Sequence, residues 1–331
     1  MRTPISESPA NHAIVVTETL CEAVPFSSPR IANIDRLRIL AAIGIVWFHT
    51  DNAPYRHIAY AGLPIFLLIF CSLLTSHGTD VSTGEFFKRR WNRLMLPWLF
   101  WSAVYGLCRV AKAFFTGHAE PIESMFSAET LLAGTSIHLW YLPYAFLWGL
   151  IIHALNRRTA DLHAEPIIAL STVAGMALLA IHATGMWTNL PRPLPQWEFG
   201  LAALPLGVAL GKCHMVPSRD RQRLLLAGIA LIVAIECQVL HRLGFGTSVV
   251  PHGIAVLLVC LAYGWPIRGG GIALSMAPLA FGVYLIHPLV GHALRGVPQI
   301  SGSYGLMILL TVSVAALVTW ILRGTPLKRF V

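Results

Sequence analysis

Long apolar runs separated by short polar or basic connections recur from residue 35 to residue 323, each with the length and character of a helix that crosses a bilayer. Hydropathy and turn signals place ten helices at about 35–53, 58–76, 92–115, 137–156, 165–186, 197–213, 222–242, 248–266, 272–294 and 303–323. Several runs contain Pro or Gly, which neighbouring helices accommodate in a bundle. No interval is large enough for a separate soluble domain. The pattern predicts an all-α fold: one polytopic transmembrane helical bundle of about ten spans over residues 35–323. Residues 1–34 mix Ser, Pro, Glu and Thr without a sustained apolar core or a small-residue cleavage pattern, and read as a poorly ordered cytoplasmic tail. Residues 324–331 form a short basic cytoplasmic tail.

Orientation follows from the connections. Lys88, Arg89, Arg90 and Arg93, then Arg157 and Arg158, then Lys212, Arg219, Arg221 and Arg223, and finally Arg323, Lys328 and Arg329 all fall on one side. The connection holding Glu120, Glu123 and Glu129 has no basic residue and falls on the other. The positive-inside rule therefore puts both termini in the cytoplasm. Composition agrees: of 331 residues, 56% are hydrophobic and 12% charged, about half the charged share of a soluble domain. The net charge of +9 is accounted for by this sidedness, so the expected partner is the lipid bilayer and not nucleic acid. The six cysteines are scattered, with no CxxC and no metal spacing, and read as small apolar side chains. Gly207 and Gly211 form a GxxxG pair suited to close helix approach.

Ionisable residues inside apolar spans mark candidate chemistry. Arg38 and His49 lie in the first span, eleven residues or about three turns (roughly 16 Å) apart on one face. Arg90 and Arg93, in KRRWNR, offer two guanidinium forks that suit a phosphate or diphosphate. His138 in SIHLWYLP, His287 in FGVYLIHPL and Glu236 in AIECQVLH fall in the outer halves of their spans, where they could line one polar cavity. No HExxH or comparable pair is present, so no metal is expected.

These residues resemble the integral-membrane acyltransferases of the acyltransferase-3 family, which O-acylate bacterial cell-surface carbohydrates. NIDRLRILAAIGIVWFH is similar to the family's opening helix, with Arg38 and His49 at the family spacing. FFKRRWNRLMLPWLFWSAVY is similar to its RxxR segment, with Arg90 and Arg93. HLWYLP and FGVYLIHPLV match two further blocks in the right order. The chain departs from the family in LPIFLLIFCSLL, where Phe70 and Cys71 stand in place of a Ser-Gly pair.

The resemblance implies a membrane O-acyltransferase of the bacterial inner membrane, with acetyl-CoA as acyl donor and a cell-surface or lipid-linked carbohydrate as acceptor. Arg38, Arg90 and Arg93 would hold acyl-CoA from the cytoplasm. His49 would act as general base or carry the acyl group, with His287 and Glu236 as further catalytic candidates. His138, Trp140 and Tyr284 would meet the acceptor. A secondary transporter of a small anionic metabolite would use the same buried charges, but the two related halves common in transporters are not evident in the sequence.

Overall fold

The computed structural model describes residues 32–76, 81–117, 125, 127–245, 247–265 and 271–331, and among these it contains helices and connections but no strand. Helix α1 is Ala32–Phe48 and, after a one-turn helix Arg56–Ala59, α2 is Gly62–Ser76. Helix α3 (Thr83–Arg90) continues through a π-helical turn, Trp91–Met95, into α4 (Leu96–Thr116). A 3-10 turn, Ile137–Trp140, leads into α5 (Tyr141–Arg158), followed by α6 (Ala164–Ala183). A broken run, α7 (Leu194–Leu201) and α8 (Ala203–His214), precedes α9 (Arg219–Arg242), α10 (Val250–Gly264), α11 (Ala280–Arg295) and α12 (Tyr304–Arg323).

Helical runs thus occupy all ten expected intervals, and seven helices among the described residues are long and apolar enough to cross a membrane. The protein is a multi-pass integral membrane protein. The starts of α3, α9 and α12 are capped: the side chains of Ser82, Ser218 and Ser303 accept from the backbone N–H groups of Glu85, Arg221 and Leu306.

Helix α1 begins at Ala32, inside the interval read as tail, because Asn33 Nδ2 donates to the carbonyls of Ala262 (3.3 Å) and Trp265 (2.9 Å) and ties the start of α1 to the end of α10. The rest of that interval, residues 1–31, lies outside the described residues, as do Glu120, Glu123 and Cys21. At the other end, Pro326–Phe330 is a 3-10 turn folded back on α4: Phe330 stacks on Phe100 (centroids 4.2 Å apart), and Trp101 Nε1 donates to its carbonyl at 2.9 Å. The two basic residues of that segment do not prevent the aromatic residue after them from packing.

Helix α1 divides two apolar cores. Its residues Ile34, Leu37 and Ala41 join a core built with α2, α5, α6, α8 and α10. Ala42, Ile45 and Val46 join a second core with Trp101, Tyr105, Val283, Leu285 and Ala315. Phe66 and Tyr141 pack against both and mark the seam between them. In the first core α2 and α8 approach closely at the GxxxG pair: a Cβ on Gly207 would lie 2.6 Å from Cys71 Cβ, and one on Gly211 2.6 Å from the Ser72 carbonyl oxygen. Cys71, the departure noted in the sequence, is accommodated by that missing side chain.

Candidate functional site

The site is built at the two ends of α1. At its start, Asp35 is buried and holds the Arg38 guanidinium at 3.0 Å. Arg90, at the junction of α3 with the π-helical turn, lies between two aromatic faces, its guanidinium carbon 5.2 Å from the Phe70 ring centroid and 5.1 Å from that of Phe86. Arg93 sits inside the π turn, within electrostatic reach of both Arg90 and Arg38. A π turn adds a residue to the helical circuit and re-aims the side chains around it. The three sequence-predicted arginines are therefore brought together, with Asp35 bonded to Arg38 alone. Phe70, the other departure from the family pattern, is one wall of the slot that fixes Arg90.

At the far end, α1 stops at Phe48, so His49 stands one residue past the helix and not within it. Its N–H still donates to the Ile45 carbonyl at 3.1 Å, which keeps it in helical register. The backbone around it is clamped. Arg295 donates to the His49 carbonyl oxygen (3.2 Å) and pairs with Asp51 (3.0 Å), while Arg56 Nε donates to the Phe48 carbonyl at 2.8 Å. His49 is exposed as a residue, lines the cavity described below, and has no hydrogen bond from its ring to a described residue. Its centroid lies 5.3 Å from that of His287.

His287 is 2% exposed, and its tautomer is fixed by its own helix. Nδ1 donates to the carbonyls of Tyr284 (2.8 Å) and Val283 (3.2 Å), which leaves the Nε2 lone pair buried without a partner. Pro288 makes this possible, since it has no N–H to occupy the Tyr284 carbonyl four residues back. A cavity of about 140 Å³ lies between the rings, lined by His49, Thr50, His287, Gly291, Arg295 and Thr311 with Val46, Pro288 and Met307.

His138 joins the cluster, its ring 5.7 Å from that of His287, but both its nitrogens are committed. Nε2 donates to the Leu285 carbonyl at 3.3 Å and Nδ1 accepts from Ser136 Oγ at 2.9 Å. Tyr284 donates its hydroxyl to the His138 carbonyl, and Tyr105 donates to that of Leu285 at 2.8 Å. These bonds lock the 3-10 turn onto α11. His138 and Tyr284 therefore shape the wall behind His287, whereas the sequence suggests acceptor contacts for them. Trp140 is likewise buried in the first core, packed on Tyr144 at 5.4 Å, and does not line the cavity.

Glu236 is not brought to this site. Helix α9 packs on α6, α8 and α10, and one carboxylate oxygen of Glu236 is buried there without a partner. Sequence reasoning missed a second polar cluster: His182 Nδ1 donates to Glu198 at 2.8 Å, and His252, 5.6 Å from the His182 ring, donates from Nε2 to the Phe199 carbonyl at 2.8 Å. It connects with the first through a chain of rings, Phe199 tilted against Tyr60 (4.5 Å) and Tyr60 stacked on Phe48 (4.1 Å). The signal was available, because each of these three is an ionisable side chain in an apolar run. Among the described residues, no group of three or more His, Cys, Asp or Glu side chains is placed to hold a metal ion.

An imidazole pair facing a small cavity, one ring with a bare and fixed lone pair, can take and return a proton. The guanidinium cluster around Arg38, itself about 16 Å from His49 along α1, can hold a polyanion. Comparison with known proteins gives a family for this arrangement: the acyltransferase-3 model, described as an acyltransferase domain, matches residues 31–323. No curated protein and no solved structure matches the chain.

Proposed function

We propose that this chain, which belongs to the acyltransferase-3 family of membrane acyltransferases, transfers an acetyl or other short acyl group from acyl-CoA to a hydroxyl of a cell-surface or lipid-linked carbohydrate. The observation that carries the reading is the division of labour along α1, with guanidiniums at one end and, at the other, the His49 ring beside the unpartnered Nε2 of His287. Arg38, Arg90 and Arg93 bind the phosphates of the coenzyme at the cytoplasmic face of the bacterial inner membrane. The pantetheine arm then runs along the seam between the two cores and delivers the thioester to the imidazole end.

There His49 removes the proton of the acceptor hydroxyl. His287 Nε2, unable to donate in its fixed tautomer, accepts from the other nitrogen of His49 and orients it. Their rings are close enough for this bond to tighten once substrates are bound. The acceptor oxygen bonds to the carbonyl carbon, the carbonyl electron pair moves onto oxygen, and collapse expels the coenzyme thiolate. The imidazolium returns its proton to that thiolate. Arg295 and Arg56 hold the backbone of His49 and so fix the position of the base.

The experiment is to incubate the purified protein with acetyl-CoA, follow thiol release with and without glycans, and compare surface glycans of cells with and without the gene by mass spectrometry. Thiol release together with loss of an acetyl-sized increment is expected. Absence of acetyl-CoA binding and thiol release overturns the donor, and unchanged glycans overturn the acceptor.

A further inference from the structure

The geometry points to the cleft between Gly291 and Thr311 as the subsite for the acyl group itself: the Thr311 hydroxyl donates to the thioester carbonyl oxygen, and the missing side chain at Gly291 leaves room for a short acyl chain. We draw this inference on top of the acyl-CoA reading above, which says nothing of how the reacting carbonyl is held.

The cavity beside His49 and His287 has two hydroxyl-bearing walls, Thr50 and Thr311. Thr50 is committed, since its Oγ1 donates to the Val46 carbonyl at 2.9 Å. Thr311, on α12, is 3% exposed, and its hydroxyl bonds to no described residue. Thr172 and Thr319, also buried in helices, instead donate to the carbonyls four residues back at 2.8 and 2.7 Å. Thr311 lines the cavity, so a ligand there can supply the partner that its hydroxyl does not find within the protein. The remaining polar walls are the two imidazoles and Arg295, whose guanidinium is spent on Asp51 and the His49 carbonyl. Thr311 is thus the uncommitted neutral donor in the place where negative charge develops on oxygen.

Gly291 lies one turn beyond His287 on α11. A Cβ built there would meet the Thr311 methyl and hydroxyl at 4.0 Å, ordinary contact distance without a clash. The glycine therefore holds open space that a methyl group would fill without disturbing the helices. In the reaction the acceptor oxygen bonds to the carbonyl carbon while the C=O electron pair shifts to oxygen. Thr311 Oγ1–H strengthens its hydrogen bond to that oxygen and keeps its own proton, and the bond relaxes when C=O re-forms and C–S breaks.

The test uses the full-length protein in detergent with acetyl-CoA, propionyl-CoA and butyryl-CoA, reading thiol release and, separately, binding of a non-reactive thioether analogue of acetyl-CoA. Thr311→Val keeps shape and removes the hydroxyl. It should lower kcat roughly 10²–10³-fold with the analogue bound as in wild type, and Thr311→Ser should restore much of the rate. Gly291→Ala should lower the propionyl-to-acetyl ratio of kcat/KM about ten-fold, the scale of one methylene in a closed pocket. A Thr311→Val enzyme that melts like wild type and keeps its kcat overturns the donor role, and an unchanged chain-length ratio in Gly291→Ala overturns the pocket. If the wild-type protein neither binds the analogue nor releases thiol, the acyl-CoA reading has failed instead.

Discussion

His287 Nδ1 reaches the carbonyl oxygen of Tyr284, 2.8 Å away, because Pro288 leaves that oxygen without its helical N–H partner. Proline inside a helix normally costs stability; here it determines which nitrogen of the imidazole carries the proton. Pro288→Ala restores a competing N–H. We predict a helix at least as stable as wild type and a fall in kcat of roughly ten-fold, as the orientation of the base pair loosens. Thermal unfolding and acetyl-CoA turnover measured together check this, and a variant with unaltered kcat would remove the tautomer argument.

Substitution of His49 should act on chemistry alone, since its ring carries no hydrogen bond to a described residue and the clamps from Arg295 and Arg56 engage main-chain oxygens. His49→Ala and His49→Gln are both expected to lose about 100-fold to 10,000-fold in transfer while binding acyl-CoA normally. Glutamine can hydrogen-bond but cannot cycle a proton. A folded His49→Gln enzyme with near wild-type turnover would shift the base to His287.

His138 predicts the opposite signature. Removing it strands Ser136 Oγ and an acceptor site at Leu285, so His138→Ala should destabilise the protein by about 1–3 kcal/mol. The loss should appear as a lower Tm in detergent. A variant with full stability but no turnover would mean that His138 touches the substrate.

At the other end of α1, Arg90→Ala or Arg93→Ala should weaken acyl-CoA binding by one to two powers of ten, from a charge-assisted contact of roughly 1.5–3 kcal/mol. Arg90→Lys should recover part of this at most, because it keeps the charge between Phe70 and Phe86 but loses the fork. Calorimetric titration with CoA decides it, and normal binding by both alanine variants would reduce these arginines to topology anchors.

The intervals of the helices were legible because bilayer length and hydropathy set them. Arg38 and His49 were legible because charge in an apolar run is rare enough to stand out, and Arg90 and Arg93 because two guanidinium forks stand three residues apart in KRRWNR. The same rule applies equally to Glu236 and to Glu198, His182 and His252, and its limit is that it detects expense, while partners are decided by helix rotation and packing. Which face of α9 meets α10 is not written in a run such as AIECQVLH. The early start of α1 depended on Asn33 finding carbonyls more than 200 residues away, and the committed state of His138 depended on Leu285, likewise distant. Thr311 carried no sequence signal, since a lone threonine in an apolar span is ordinary until its neighbours are known to leave its hydroxyl unused.

Because α1 lies between two separate cores and bears Arg38 near one end and His49 at the other, it behaves as a lever. A stiff helix gripped on both sides cannot tilt at its arginine end without displacing its imidazole end. Occupancy of one end then changes the free energy of occupancy of the other, and thermodynamic reciprocity requires the two effects to be equal. Coenzyme binding should sharpen acceptor binding by the same factor by which acceptor sharpens coenzyme binding. Acceptor affinity that is the same with and without bound coenzyme would show that α1 does not transmit occupancy from one end to the other.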